Sequence, residues 1–295
     1  MPAPLSPNLR GSLLMILSMA GFAVEDMAVK AAARHLPMGE VVVIYGLIGL
    51  LVFAGLAARR GEPPLPRAFV NRTMLIRSVF EVSGRLFHAL ALALIPLSVA
   101  SAILQASPLV VVAGAAVFFG EKVGWRRWSA VALGFVGVLM ILRPGLAGFD
   151  ALALLAVAGT VSFAFRDLAT RAAPRVLSNA QLGVAGFAML TIAGAVILSV
   201  TGGAIRPDLP GAGFTLMAAG FGILGYAALT GAMRSGEISV VTPFRYTRLV
   251  FALILGAAIF GERPDVMTLA GSAVIVVSGI YTLLRSRRVV RQAGL

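Results

Sequence analysis

The sequence predicts an all-helical integral membrane protein with ten transmembrane helices arranged as two inverted five-helix repeats. Of its 295 residues, 59% are hydrophobic and only 13% are charged, about half the charged share of an ordinary soluble domain. Its apolar runs often reach the roughly 20 residues that a helix needs to cross a bilayer. They lack the alternation over about ten residues that marks a membrane β-barrel. Soluble and barrel classes are therefore excluded.

Clusters of Arg, Pro, Gly and Asp divide the chain into ten apolar segments. Only Pro96 and Leu97 separate the third segment from the fourth. A proline followed by Ser98 as a helix start is typical of a helical hairpin. The ten predicted spans are about 11–33, 39–58, 74–95, 98–119, 126–142, 150–171, 178–202, 212–233, 239–260 and 266–284.

Basic residues between the spans predict orientation, because they are retained on the cytoplasmic side. With the N-terminus inside, fifteen of the 25 Lys and Arg residues fall in inner loops and four in outer loops. We therefore expect a bacterial inner-membrane protein with both termini in the cytoplasm, and the net charge of +13 needs no nucleic-acid partner. The remaining six basic residues lie within spans: Lys30, Arg77, Arg85, Arg166, Arg245 and Arg248.

Part of the chain repeats itself at a constant offset. Residues 97–121 align with 238–262 without gaps, and their six identities in 25 positions include a shared Phe-Gly-Glu end. A repeat of five spans has an odd number of crossings, so the second copy enters from the opposite side. We therefore expect Glu121 in the cytoplasm and Glu262 outside. Inverted repeats are a transporter architecture.

Two long segments resemble a known family. They are LSVASAILQASPLVVVAGAAVFFGEKVGWRRWSAVALGFVGVLMIL (97–142) and ISVVTPFRYTRLVFALILGAAIFGERPDVMTLAGSAVIVVSGIYTLL (238–284). Both resemble the paired EamA-type repeats of the drug/metabolite transporter superfamily, and the resemblance extends over nearly the whole chain. It implies repeats over 1–147 and 148–295, a central cavity between them, and an inner-membrane permease that exports amino acids or related metabolites.

The third span carries a polar stripe. Arg77, Glu81, Arg85 and His88 are spaced 4, 4 and 3, so all four lie on one helical face. A charge at mid-bilayer costs roughly 2.5–3.5 kcal/mol on insertion scales and is a candidate for function. One interpretation is a cavity wall on which Arg85 or His88 meets a substrate carboxylate. The alternative is a structural ion pair made by Glu81, with His88 in helix packing.

Charged residues also occur in the first and sixth spans. Asp26 and Lys30 are four apart and are expected to form a local salt bridge, whereas Glu25 has no local base and either faces the cavity or packs. Arg166 and Asp167 are adjacent and project about 100° apart on a helix. We therefore expect Arg166 to find a carboxylate on another helix.

The ninth span contains a proline that predicts a bend. Pro243 has no amide proton for the carbonyl four residues earlier, so this end of the span is a candidate gate beside Tyr246. The alternatives are a static kink, Tyr246 in core packing, and Arg245 and Arg248 as orientation charges. Gln105 and Tyr226 add hydrogen-bonding groups near the expected cavity.

Several kinds of chemistry are absent from the sequence. There is no cysteine and there are two histidines, and neither a phosphate-binding loop nor a hydrolase or zinc-protease motif occurs. We expect no cofactor or metal, a small-molecule substrate, the lipid bilayer as surroundings, and a monomer or homodimer. A membrane channel or membrane-embedded enzyme remains the alternative. The candidate substrate-binding residues are Glu25, Glu81, Arg85, His88, Gln105, Tyr226 and Tyr246, and the candidate gating residue is Pro243.

Overall fold

The computed structural model describes residues 6–120, 124–143, 150–171, 177–235 and 238–292, and in these ranges the secondary structure is helical, with no strand. The expected all-helical class is confirmed. The expectation for Glu121 lies outside the described residues. The helices are α1 (Pro7–Ala32), α2 (Met38–Arg59), α3 (Arg72–Leu94), α4 (Leu97–Leu104), α5 (Ser107–Phe119), α6 (Trp125–Leu142), α7 (Ala153–Arg171), α8 (Asn179–Thr201), α9 (Leu209–Ser235), α10 (Ile238–Val241), α11 (Thr247–Phe260) and α12 (Val266–Gln292).

Among the described residues, six helical segments are long and apolar enough to cross a membrane. Two shorter helices, Trp128–Leu142 and Val266–Tyr281, are also apolar. Helices α3 and α7 are in neither group, and both carry charged side chains in the interior of the bundle. The six segments are Pro7–Ala32, Met38–Arg59, Leu97–Phe118, Asn179–Thr201, Leu209–Met233 and Thr242–Phe260.

Two of the predicted spans are broken. The proline-containing stretch Thr242–Tyr246 forms a 3₁₀ helix between α10 and α11, so the predicted irregularity at Pro243 is present. The span made by α4 and α5 also breaks, at Gln105 and Ala106, which we did not expect. Pro108 in the first turn of α5 was a usable signal, since proline is favoured where a helix begins.

The two Phe-Gly-Glu segments end their helices alike. Gly120 ends α5 with φ 64°, and Gly261 ends α11 with φ 65°. This left-handed conformation costs glycine nothing and is the usual helix C-cap. The identity found in the sequence therefore corresponds to the same backbone termination.

The helices pair in a pattern that exchanges the two parts of the chain. Helix α1 packs along α9 while α3 packs along α7, and α2 pairs with α8, α6 with α12 and α4 with α11. Some crossings require glycine: a Cβ on Gly271 would lie 2.6 Å from the carbonyl oxygen of Gly137, so α6 and α12 touch backbone to backbone. These pairings bring the charged faces of α1, α3, α7 and α11 together.

Candidate functional site

The predicted stripe on α3 forms a buried ionic cluster. Glu81 is only 2% exposed. Its carboxylate accepts hydrogen bonds within the helix, from Arg77 Nη2 at 3.4 Å and from Arg85 Nε at 3.3 Å. The 4-residue spacing seen in the sequence therefore places both guanidinium groups on one carboxylate.

Helix α7 adds a third guanidinium to the same carboxylate. Arg166 Nη1 lies 3.2 Å from Glu81 Oε1, so the expected partner on another helix is confirmed. Arg166 also donates to Asp167 Oδ1 from Nη2 at 2.7 Å and from Nε at 3.0 Å. The inference from the sequence that these adjacent residues point apart is wrong in effect, because the long arginine side chain reaches around the helix.

An aromatic ring lies beneath these cations. The guanidinium carbons of Arg166 and Arg85 stand 4.9 Å and 5.9 Å from the centroid of Phe163, which also meets the His88 ring edge-on. The negative face of an aromatic ring attracts a cation most strongly away from water. Phe163 thus compensates in part for three guanidinium groups that share one carboxylate.

Glu25 lies next to this cluster. Its Oε1 accepts a hydrogen bond from the Tyr45 hydroxyl at 2.6 Å and stands 3.7 Å from Arg85 Nη1. Its Oε2 is buried without a hydrogen-bond partner among the described residues. Arg85 therefore lies between two carboxylates, one on α3 and one on α1. Tyr45, which the sequence analysis missed, is a single tyrosine in an otherwise apolar α2.

Asp26 makes a different set of contacts from the one expected. Its Oδ2 accepts from Arg248 Nη2 at 2.5 Å, and its Oδ1 lies 3.2 Å from His88 Nε2. The predicted salt bridge to Lys30 is wrong, since Lys30 Nζ instead donates to the backbone carbonyls of Leu92 and Ile95. For Arg248, the alternative of an orientation charge is also wrong, because its guanidinium is paired inside the bundle.

The other predicted site residues lie around this centre. Gln105 Nε2 donates to the backbone carbonyl of Arg245 at 3.2 Å, which joins the two broken spans. Tyr226 packs edge-on against Phe53 at 5.2 Å. Tyr246 is turned toward α12, where its ring fills the space that Gly279 leaves. The structure thus brings together Glu25, Glu81, Arg85 and His88, and it places Tyr246 in packing.

Glu262 joins the ends of two spans. Its carboxylate accepts hydrogen bonds from the amides of Leu97 at 2.6 Å and Ser98 at 2.9 Å. These are free amides of the first turn of α4, where a negative charge is favourable. The glutamate of the second Phe-Gly-Glu segment thus caps a helix that belongs to the first part of the chain.

A family model identifies the chain. The EamA-like transporter family matches residues 9–143 and 151–285. The chain belongs to the EamA-like transporter family. It is therefore a multi-pass membrane transporter of a small molecule and not an enzyme, and the resemblance to the drug/metabolite transporter superfamily is confirmed. Among the described residues, no three His, Asp or Glu side chains are grouped to hold a metal ion.

Known relatives carry different substrates. The chain is 28% identical to the pseudopaline exporter CntI of Pseudomonas aeruginosa, with 92% of this chain and 94% of that protein covered. It is 23% identical to an S-adenosylmethionine uptake transporter of Rickettsia bellii (92% and 93% covered) and 27% identical to a riboflavin transporter of Rhizobium johnstonii (94% and 92% covered). A crystal structure with 17% identity matches the fold with a TM-score of 0.64, covering 92% of this chain and 97% of that one.

Proposed function

We propose that this EamA-like transporter exports amino acids or related small metabolites across the bacterial inner membrane by alternating access. Its two inverted five-helix repeats, 1–147 and 148–295, would rock about a central site. The observation that carries the proposal is a layer of buried ion pairs linking these halves: Glu81 with Arg166, and Asp26 with Arg248. Buried ionisable groups in a membrane protein mark substrate pathways.

The chemistry of this layer favours a substrate that bears a carboxylate. Three guanidinium groups meet at Glu81, and Arg85 and Arg166 are about one-fifth exposed at their side chains. Arginine has a planar donor fork that matches a carboxylate. Among the relatives, the printed name of CntI describes an exporter, which supports the proposed direction.

The helix pairing supports the inverted-repeat arrangement with ten spans. If α7 corresponds to α1 and α9 to α3, the contacts α1–α9 and α3–α7 are one contact seen twice. The pairs α2–α8, α4–α11 and α6–α12 each map onto themselves, as a two-fold axis between the halves requires. An axis in the membrane plane places Glu262 outside and both termini in the cytoplasm.

Single-cysteine labelling tests this topology, because the chain has no cysteine of its own. Arg263→Cys, next to Glu262, should react with a membrane-impermeant maleimide added outside intact cells. Arg60→Cys, at the end of α2, is the matched control and should react only after the membrane is opened. The opposite labelling pattern would contradict the proposed orientation.

Counterflow in proteoliposomes tests the substrate class. We expect saturable exchange of labelled amino acids, with riboflavin and S-adenosylmethionine included in the panel. If only one of those two compounds is exchanged, amino-acid export is wrong. A conductance without saturation would instead indicate a channel. Inside-out membrane vesicles then give the direction, since an exporter accumulates its substrate in them.

The 3₁₀ segment around Pro243 is the proposed gate. Gating needs an element with two accessible conformations, and a segment without regular α-helical hydrogen bonding between α10 and α11 can meet that need. Pro243→Ala restores the missing amide, so we expect lower turnover at nearly unchanged substrate affinity. Normal turnover and normal affinity would show a static kink.

A further inference from the structure

The buried layer contains one guanidinium that lacks an ion pair. Its charged groups are five arginines and four carboxylates, counted over the described residues. Among them, Arg245 forms no ion pair with a described residue, while each of the other four arginines does. An unpaired cation inside a membrane protein is costly and calls for a functional explanation. The members of the layer are Arg77, Arg85, Arg166, Arg245, Arg248, Glu25, Asp26, Glu81 and Asp167.

Arg245 faces the interior of the bundle. It belongs to the 3₁₀ segment Thr242–Tyr246 and precedes Arg248 by three residues, a spacing that places both side chains on one face. Arg248 meets Asp26 and lies over the Phe22 ring of α1 at 5.3 Å. The hydrogen bond from Gln105 to the Arg245 carbonyl fixes the backbone from the opposite half. Arg245 is therefore held in the layer without a partner of its own.

A carboxylate of α7 complements this cation from a distance. Asp167 is the acidic residue whose charge acts most strongly on Arg245, yet the two form no ion pair. Both hydrogen bonds from Arg166 use Asp167 Oδ1, so Oδ2 is left without a hydrogen bond from a described residue. The Asp167 side chain is 33% exposed. An unpaired cation and a half-satisfied carboxylate therefore lie near each other in the same layer.

We propose that Arg245 and Asp167 together bind the zwitterionic head group of an α-amino acid. The Arg245 guanidinium would receive the α-carboxylate through its two-pronged donor fork, and Asp167 Oδ2 would accept from the α-ammonium group. A zwitterion adds no net charge to the layer and supplies each residue with its missing counter-charge. The inference rests on the proposed transport of amino acids and assigns the residues that recognise them.

Head-group analogues test each residue separately. The probes are labelled L-methionine and L-histidine, their amides, which lack the carboxylate, and their N-acetyl forms, which lack the ammonium group. In counterflow, the wild-type protein should prefer each amino acid over either analogue by about 10- to 100-fold, as expected for a charged hydrogen bond. Arg245→Gln should abolish the preference over the amide and keep that over the N-acetyl form. Asp167→Asn should do the reverse.

Controls separate recognition from folding and from the proposed function. Arg10→Gln, at an exposed position of α1, should keep both preferences, and gel filtration should show an unaltered folded peak for every variant. If Arg245→Gln does not fold, Arg245→Lys keeps the charge without the fork and should reduce the preference over the amide. Equal loss of all three probe forms, or unchanged preferences, would overturn this inference alone. Failure of the wild-type protein to exchange either amino acid, with riboflavin exchanged, would overturn the proposed function as well.

Discussion

Two buried carboxylates, Glu81 on α3 and Asp26 on α1, are each 2% exposed and each paired across the bundle. Asp26 has one arginine and the ring of His88, so its charge is balanced. Glu81 has three arginines, so its surroundings keep a positive excess. The difference separates two roles: the Asp26 contact joins helices, whereas the Glu81 cluster has positive charge left for an anionic group of a substrate.

The largest effect on stability is expected from Glu81→Gln. Arg77, Arg85 and Arg166 would then lose the carboxylate they share, and an uncompensated buried charge destabilises by about 3–5 kcal/mol. Thermal unfolding of the purified protein in detergent measures the change. A melting temperature close to that of the wild type would show that this cluster is far better hydrated than its burial implies.

Asp26→Asn should destabilise less, by about 1–3 kcal/mol. It strands only Arg248, which keeps the Phe22 ring beneath it, and His88 is able to remain neutral. Adding Arg248→Gln to Asp26→Asn should recover part of the loss, because no unpaired charge then remains. If the double variant is as unstable as the sum of the two single ones, the pair is not coupled.

Glu25→Gln is the matched control for Glu81→Gln. Glu25 accepts one short hydrogen bond, from Tyr45, and its other oxygen has no partner among the described residues. Polar contacts in membrane bundles average about 0.6 kcal/mol, so the loss should stay below about 1 kcal/mol. A loss equal to that of Glu81→Gln would remove the distinction between these carboxylates.

The smallest effect concerns an ion pair outside the membrane. Arg143 pairs with Asp265, and the hydrogen bond from Arg143 lowers the pKa of Asp265 from 3.8 to about 2. Because the folded state has the lower pKa, the stabilising contribution is present above about pH 4 and is lost as the pH falls through 2. The melting temperatures of wild type and Asp265→Asn should therefore converge between pH 4 and 2. A gap that is constant over this range would contradict the assignment.

Contacts within one helix or turn were predictable from the sequence. The hairpin at Pro96, the break at Pro243 and the face shared by Glu81 and Arg85 follow from covalent geometry and from the helical repeat. The Phe-Gly-Glu ends follow from the conformational freedom of glycine. Each of these signals uses residues at most a few positions apart.

Partners on different helices were not predictable in the same way. Asp26 had a base four residues away, yet it pairs with Arg248, because helix packing places α11 against α1. Lys30 instead meets the carbonyl of Leu92, which Pro96 cannot satisfy because it has no amide proton. These choices depend on the positions of entire helices, which one sequence without aligned relatives does not determine.

The most direct test of the central claim is counterflow by the Arg85→Ala variant. Arg85 lies between Glu81 and Glu25, but Glu81 keeps Arg77 and Arg166 and Glu25 keeps Tyr45 when it is removed. We therefore expect a folded protein, judged by gel filtration, whose exchange of amino acids falls by about 10- to 100-fold, as expected when a charged hydrogen bond to substrate is lost. Exchange at the wild-type rate and affinity would show that the ionic layer only holds the helices together.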